Sequence, residues 1–164
     1  MTITSIISNL INKTRDPYHD LYIEVLDACK VPRIGLNWVN QHRKLAVEEI
    51  LNMDTNTNAQ VRWDGVSLIW DEWITNNLGS EFHIEISTKR NHPYEIPDVR
   101  VKHPYFTPSR KIHVYSDGKL CLMHPNLYNS RISILQIRNM ACAWTFSFEV
   151  YESTGIWPSA EHKH

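Results

Sequence analysis

Apolar positions along the chain change period twice. From Tyr18 they recur at Leu21, Tyr22, Val25, Leu26 and Cys29, the spacing of a helix with one buried face. Asp16-Pro17 supplies its start, a capping carboxylate followed by a first-turn proline; Pro32 and Gly35 supply the stop. Asn37 is placed to cap a second helix with Val39, His42, Ala46, Ile50 and Met53 on one stripe. The polar run Asp54-Thr55-Asn56-Thr57-Asn58 reads as a loop. The period then drops to two. Residues 61–74, rich in Val, Ile and Trp, predict one or two strands around Asp64-Gly65. Asn76-Asn77-Leu78-Gly79 is a turn. Phe82, Ile84 and Ile86 alternate with His83, Glu85 and Ser87, and Val99 and Val101 with Arg100 and Lys102. Both stretches predict half-buried strands. Pro93 and Pro97 bracket a short irregular piece, and residues 103–121 hold two prolines and an Asp-Gly turn without a sustained period. Helical spacing returns at Ile134, Ile137, Ala141, Trp144, Phe148 and Tyr151, closed by Gly155 and Pro158.

The order is helix, about four antiparallel strands, an irregular stretch, then a long helix, which is an α+β fold around one core. The length of 164 residues fits one domain. The chain has no internal repeat. Hydrophobic residues at 42% and charged residues at 21% are ordinary for a globular protein. The net charge of −1 creates no global basic field, so no nucleic acid or anionic membrane is expected as a partner. No apolar run reaches the ~18 residues of a spanning helix. The opening Met1-Thr2-Ile3-Thr4-Ser5-Ile6-Ile7 lacks a basic region, so no signal peptide is expected. Cys29, Cys121 and Cys142 are too few and too odd in number for a disulfide framework. A reducing, cytoplasmic setting follows as the expectation. Cys29 falls on the apolar stripe of its helix and Cys142 inside the long helix, and both read as core.

Reactive side chains are densest in Ile112-His113-Val114-Tyr115-Ser116-Asp117-Gly118-Lys119-Leu120-Cys121-Leu122-Met123-His124. Asp117-Gly118 is a tight-turn dipeptide. His113 stands four residues before Asp117 and Cys121 four after it. A reversal at Asp117 sets them opposite one another, with facing Cβ atoms roughly 5 Å apart. A thiol and an imidazole then meet across one turn. The imidazole can act as a base or as a donor to a developing oxyanion. A thiol is also a good acyl carrier. On spacing alone two other readings stay open. Cys121, between Leu120 and Leu122, could be a small buried hydrophobe. Cys121-x-x-His124 has ligand-like spacing, with His113 or His103 as further candidates, but a structural zinc site wants two clear pairs and only one is present.

In their order and spacing these segments resemble the ubiquitin-conjugating enzyme family, and more closely its bacterial relatives. The resemblance runs from about Asn37 to the C-terminus. Phe82-His83-Ile84-Glu85-Ile86 looks like the family's third strand. His92-Pro93-Tyr94-Glu95-Ile96-Pro97 is similar to its Tyr-Pro-x-x-Pro-Pro bend, with His in place of the Tyr. Asp117-Gly118-Lys119-Leu120-Cys121-Leu122 resembles the turn-to-cysteine segment that carries the active thiol. Residues 133–153 resemble the helix that follows. One motif departs: the family's His-Pro-Asn tripeptide falls on Lys111-Ile112-His113, and His103-Pro104 lies too far from Cys121 to replace it. A His at that position is similar to bacterial members that pair a His with the cysteine.

The resemblance implies a ubiquitin-conjugating-like α+β fold, with residues 1–36 as an N-terminal helical extension that docks a partner or extends the helical layer, and residues 37–164 as the catalytic domain. It implies Cys121 as the nucleophile, His113 as base or oxyanion donor, and Asp117 and Gly118 as residues that shape the loop. It implies no cofactor and no metal. The tail Thr154-Gly155-Ile156-Trp157-Pro158-Ser159-Ala160-Glu161-His162-Lys163-His164 resembles the ends of conjugating enzymes from CBASS antiphage operons. There a conjugating enzyme accompanies a cGAS-like nucleotidyltransferase, whose C-terminus is the implied thioester donor. The acceptor would be a protein or a small amine. The chain has no Gly-rich nucleotide loop, so it looks like the stand-alone kind. Trp157-Pro158 is expected to pack the tail onto the body, and Glu161, His162 and His164 to be solvated. The alternative function is a binding module of the same fold that holds a partner without catalysis.

Overall fold

The structure, a computed structural model, describes residues 17–158. The expected cap Asp16 and the terminal cluster Glu161, His162 and His164 lie outside the described residues. Helix α1 (Pro17–Cys29) buries Tyr22, Val25, Leu26 and Cys29 of the stripe read from the sequence, with Leu21 half-buried. Val31 follows them inward. These side chains join the same core as the sheet, so this part of the expected extension shares its packing with the rest.

The second helix forms as two. Asn37 caps α2 (Trp38–Gln41), its side chain accepting from the Asn40 N–H. At His42 the backbone leaves the helical region (φ −128°, ψ 57°), and α3 (Arg43–Asn56) starts there. Asn40 is held from outside the helix: Tyr22 Oη donates to its Oδ1 at 2.7 Å, and its Nδ2 donates to the Pro32 carbonyl at 2.9 Å. Helix α3 also runs through Asp54-Thr55-Asn56, which polarity alone assigns to a loop. The polar side chains satisfy the last carbonyls themselves: Asn56 Nδ2 donates to Asn52 O, and the N–H and hydroxyl of Thr57 both donate to Met53 O. A helix end needs such partners, and here the sequence carries them.

Four strands follow, β1 (Gln60–Trp63), β2 (Leu68–Thr75), β3 (Glu81–Ser87) and β4 (Asp98–His103). They form one antiparallel sheet in sequence order. The turn between β1 and β2 is at Asp64, whose carboxylate accepts from the N–H groups of Val66 and Ser67. Trp70 pairs with Ile86, Ile74 with Phe82, and Ile86 with Val99. This places the buried side chains on one face. Asp71, Trp73, His83 and Glu85 take the other.

Helix α4 (Ile134–Thr154) closes the core against β3 and α3. Ser133 and Gln136 form a capping box at its start, and Gly155 ends it at φ 71°. Ile134, Ile137, Ala141, Trp144 and Phe148 are buried. Two buried carboxylates hold its register. Glu49 on α3 accepts the Ile134 N–H at 2.7 Å. Glu72 on β2 takes Arg138 through two bonds of 2.7 and 2.9 Å.

Burial is the main influence on Glu49 and pushes its carboxyl from 4.5 up to about 7, against the lowering effect of the Ile134 N–H. The folded state therefore holds this proton more tightly than the unfolded chain. Stability from it is complete below pH about 4.5 and is lost as pH rises through about 7. Glu49→Gln keeps an oxygen for Ile134 and removes the titration. Urea unfolding across this range should show wild-type stability falling with pH relative to the variant; parallel profiles would assign the dependence to other groups.

Candidate active site

The segment after β4 reaches the site through a 3-10 turn, Arg110–Ile112, started by Ser109, whose hydroxyl accepts from the Lys111 N–H. Ile112 is buried, and its carbonyl accepts the indole N–H of Trp144 at 2.8 Å. His113 then takes a left-handed conformation (φ 57°, ψ 47°), which costs a non-glycine residue about 1–3 kcal/mol. Its N–H donates to Arg110 O and its carbonyl accepts the Cys121 N–H at 2.8 Å. Val114 and Leu120 pair and are both buried. The Leu120 N–H donates to Val99 O on β4 at 2.8 Å.

The expected reversal is thus built, and it sets His113 opposite Cys121. The Tyr115 N–H donates to Lys119 O, and the Gly118 N–H donates to Tyr115 O. Gly118 sits at φ 88°, a conformation glycine adopts without a Cβ clash. Asp117 Oδ1 accepts the Lys119 N–H, and Lys119 Nζ reaches Asp117 Oδ2 at 3.0 Å and Asp98 Oδ1 at 3.7 Å. These contacts with Lys119 hold the Asp117 carboxyl below its usual range. Asp117 and Gly118 therefore shape the turn by a side-chain clamp and a permissive backbone.

His113 and Cys121, both half-buried, line a cavity of about 270 Å³. Leu122, Met140, Ala143, Trp144, Ser147 and Trp157 complete its wall. Trp157 arrives from the segment after α4. Its ring lies 4.7 Å from that of His113, 6.2 Å from Tyr151 and 6.3 Å from Trp144, centroid to centroid. The expected packing of the tail onto the body is therefore also a wall of the site.

Tyr115 was not singled out from the sequence. The Cys121 thiol donates to its hydroxyl, with Sγ and Oη 3.1 Å apart. That hydrogen bond is the largest influence on the phenol and, with burial and the neighbouring charges of Cys121 and Asp117, pushes it up to about 12. A signal was available. Tyr115 stands two residues beyond His113 on the same arm, on the diagonal across the turn from Cys121, within reach of a long side chain.

The other candidates separate from this cluster. His124 is exposed and caps a second 3-10 turn, Pro125–Leu127, its Nδ1 accepting from Asn126 N–H. His103 lies 5.4 Å from the Trp73 ring. Among the described residues, no group of three or more His, Cys, Asp or Glu side chains could hold a metal ion. His92 is fully buried, with its ring edge-on to Trp38 at 4.5 Å. Burial lowers it to about 4, helped by nearby His42, so it is a neutral core residue. Cys29 is buried as expected, which pushes its thiol up to about 11. Cys142 is half-buried and packs against the edge of the core. It lines a second cavity of about 760 Å³ together with Glu72 and Arg138, which are bonded to each other. Among the described residues no helix is long and apolar enough to cross a membrane.

These environments rank the thiols. Iodoacetamide on the folded protein should label Cys121 first, then Cys142, and Cys29 only on unfolding, as read by peptide mass spectrometry. Faster labelling of Cys142 would place the accessible nucleophile in the second cavity.

Searches of curated proteins and of solved structures return no match. A family model, that of the type II CBASS E2 protein, does match, over residues 49–164. The matched stretch begins within α3 and contains the sheet, the turn with His113 and Cys121, and α4. It spans more than half of the chain. The protein therefore belongs to the type II CBASS E2 family, as an E2-like protein of CBASS antiphage defence.

Proposed function

We propose that this protein is a ubiquitin-conjugating-like transferase that carries a protein C-terminus as a thioester on Cys121 and passes it to an amine. The observation that carries this reading is the placement of the Cys121 thiol in a cavity wall beside His113, on a turn tied to the core at both arms. The family supplies the context. In type II CBASS the donor we infer is the C-terminus of a cGAS-like nucleotidyltransferase; the acceptor is an amine of a protein or a small molecule.

Loading needs a sulfur nucleophile at a reachable surface, and Cys121 is half-buried at the cavity. The thiolate attacks the terminal carbonyl of a donor activated as a thioester or acyl-adenylate; the new C–S bond forms as the bond to the activating thiol or phosphate breaks, and that group leaves with the electron pair. In transfer, the amine nitrogen attacks the thioester carbon and forms the C–N bond. The C–S bond breaks, its electron pair returns to sulfur, and the amine gives up a proton. His113 takes that proton, or donates a hydrogen bond to the oxyanion of the tetrahedral intermediate. Its left-handed backbone is held by the bonds to Arg110 and Cys121 and its ring by Trp157. A group fixed in this way needs little reorganisation in the transition state. The apolar wall of Leu122, Met140, Trp144 and Trp157 limits water near the acyl group and so favours aminolysis over hydrolysis.

The test is non-reducing intact-mass analysis of the protein co-expressed with its genomic neighbours. A protein-sized adduct released by thiol and absent in Cys121→Ala is the expected result, and its mass names the donor. No adduct together with a tight non-covalent complex would replace the carrier by the binding module. His113→Ala should slow transfer by about 10²-fold, the lower range for a positioned acid–base group, while partner pull-down stays nearly unchanged. An unchanged rate would remove His113 from the chemistry.

A further inference from the structure

The hydroxyl on the sulfur has a use beyond holding the turn. We propose that Tyr115 is a catalytic residue whose phenol O–H donates to the Cys121 sulfur whenever that sulfur carries negative charge. This inference rests on the thioester-carrier reading of Cys121 and adds a third group to the site.

The argument starts from donor chemistry. In the resting protein the thiol proton lies between Sγ and Oη, 3.1 Å apart. Once the thiol is deprotonated, sulfur has no hydrogen to give and the phenol is the only donor of the pair. The bond then reverses, with the O–H pointing to sulfur, and becomes charge-assisted, about twice as strong as a neutral one. The phenol keeps its proton at neutral pH, since the free group ionises near 10. The direction of its own shift is upward. The Trp144 indole N–H, which lines the same cavity, is committed to Ile112 O.

Selectivity for the transition state follows. In the thioester the sulfur is neutral and a weak acceptor. When the amine's C–N bond has formed and the C–S bond breaks, the electron pair moves onto sulfur. The phenol hydrogen bond strengthens in step with that charge, so it stabilises departure more than the ground state. The same contact serves loading in reverse, by holding the charged sulfur until it attacks. No proton needs to leave Tyr115 in either direction. The amine proton goes to His113 or solvent, and the sulfur is left as the thiolate. Tyr115 is 43% exposed, so its ring contributes little to the core and its hydroxyl can be removed without emptying a packed site.

Tyr115→Phe in the full-length chain tests this. Alkylation of Cys121 by iodoacetamide should run about ten-fold slower near neutrality, the effect of losing one charge-assisted hydrogen bond. The thermal midpoint should stay the same. Single-turnover discharge of the preformed adduct to an amine should slow about ten-fold, with partner pull-down unchanged. Replacing Tyr115 by 3-fluorotyrosine, a stronger donor, should move alkylation in the opposite direction. Superimposable alkylation profiles for wild type and Tyr115→Phe would overturn the proposal. The alkylation arm needs no partner: if the wild type forms no adduct, the carrier reading fails, while the profiles still decide whether Tyr115 stabilises the thiolate.

Discussion

Inside the core the indole N–H of Trp144 donates to the carbonyl of Ile112 at 2.8 Å, and the site depends on that bond. Both groups are buried, and either one left unpaired would cost about 1–3 kcal/mol. The bond ties the middle of the longest helix to the residue before His113. With Ile112 held, Val114 and Leu120 pack inward, and Leu120 bonds to β4. These contacts tie the turn beyond them to the core. His113, Tyr115 and Cys121 are presented together because the alternate residues of the same two arms are pinned in the core.

The helix that anchors the turn is itself held by charge as well as by apolar burial. An apolar stripe fixes which face of α4 is buried but specifies its position along the axis weakly, because similar side chains recur each turn. The Glu72–Arg138 pair and the Glu49 acceptor at Ile134 remove that degeneracy. Buried ion pairs contribute little net stability, but breaking one leaves an uncompensated charge. Here their effect is to set register, and the register decides that Met140, Ala143, Trp144 and Ser147 face Cys121.

Family membership and site geometry answer different questions. The match over residues 49–164 places the chain among type II CBASS E2 proteins. It leaves out α1 and α2, although Tyr22, Val25, Leu26 and Trp38 are as deeply buried as the matched core. The boundary of the family and the boundary of the packing unit therefore differ. The residues before 49 complete the helical layer against which α3 rests, and α3 in turn supplies Glu49 to the start of α4.

Much of this was legible in the order of residues. Alternation of two at Phe82, Ile84 and Ile86 and spacing of 3.6 at Ile134, Ile137, Ala141, Trp144 and Phe148 are local patterns, and a strand or helix has few other ways to bury them. The Asp117-Gly118 reversal is local too, so the pairing of His113 with Cys121 could be read by counting from the turn. What counting could not show depends on distant groups. The break at His42 accompanies a bond from Tyr22 to Asn40 and one from Asn40 to the Pro32 carbonyl. Cys142 shares a cavity with an ion pair that reaches across to β2. Trp157 meets His113 only because α4 carries the tail back over the turn. The hydrogen bond of Tyr115 to Cys121 lies between these cases: the diagonal across the turn brings the residues near, but a side-chain rotamer closes the contact. Sequence alone determined the elements and the central pair, because their causes are local. Tertiary structure decided which further side chains reach that pair, because contact between segments distant in sequence depends on how the whole core packs.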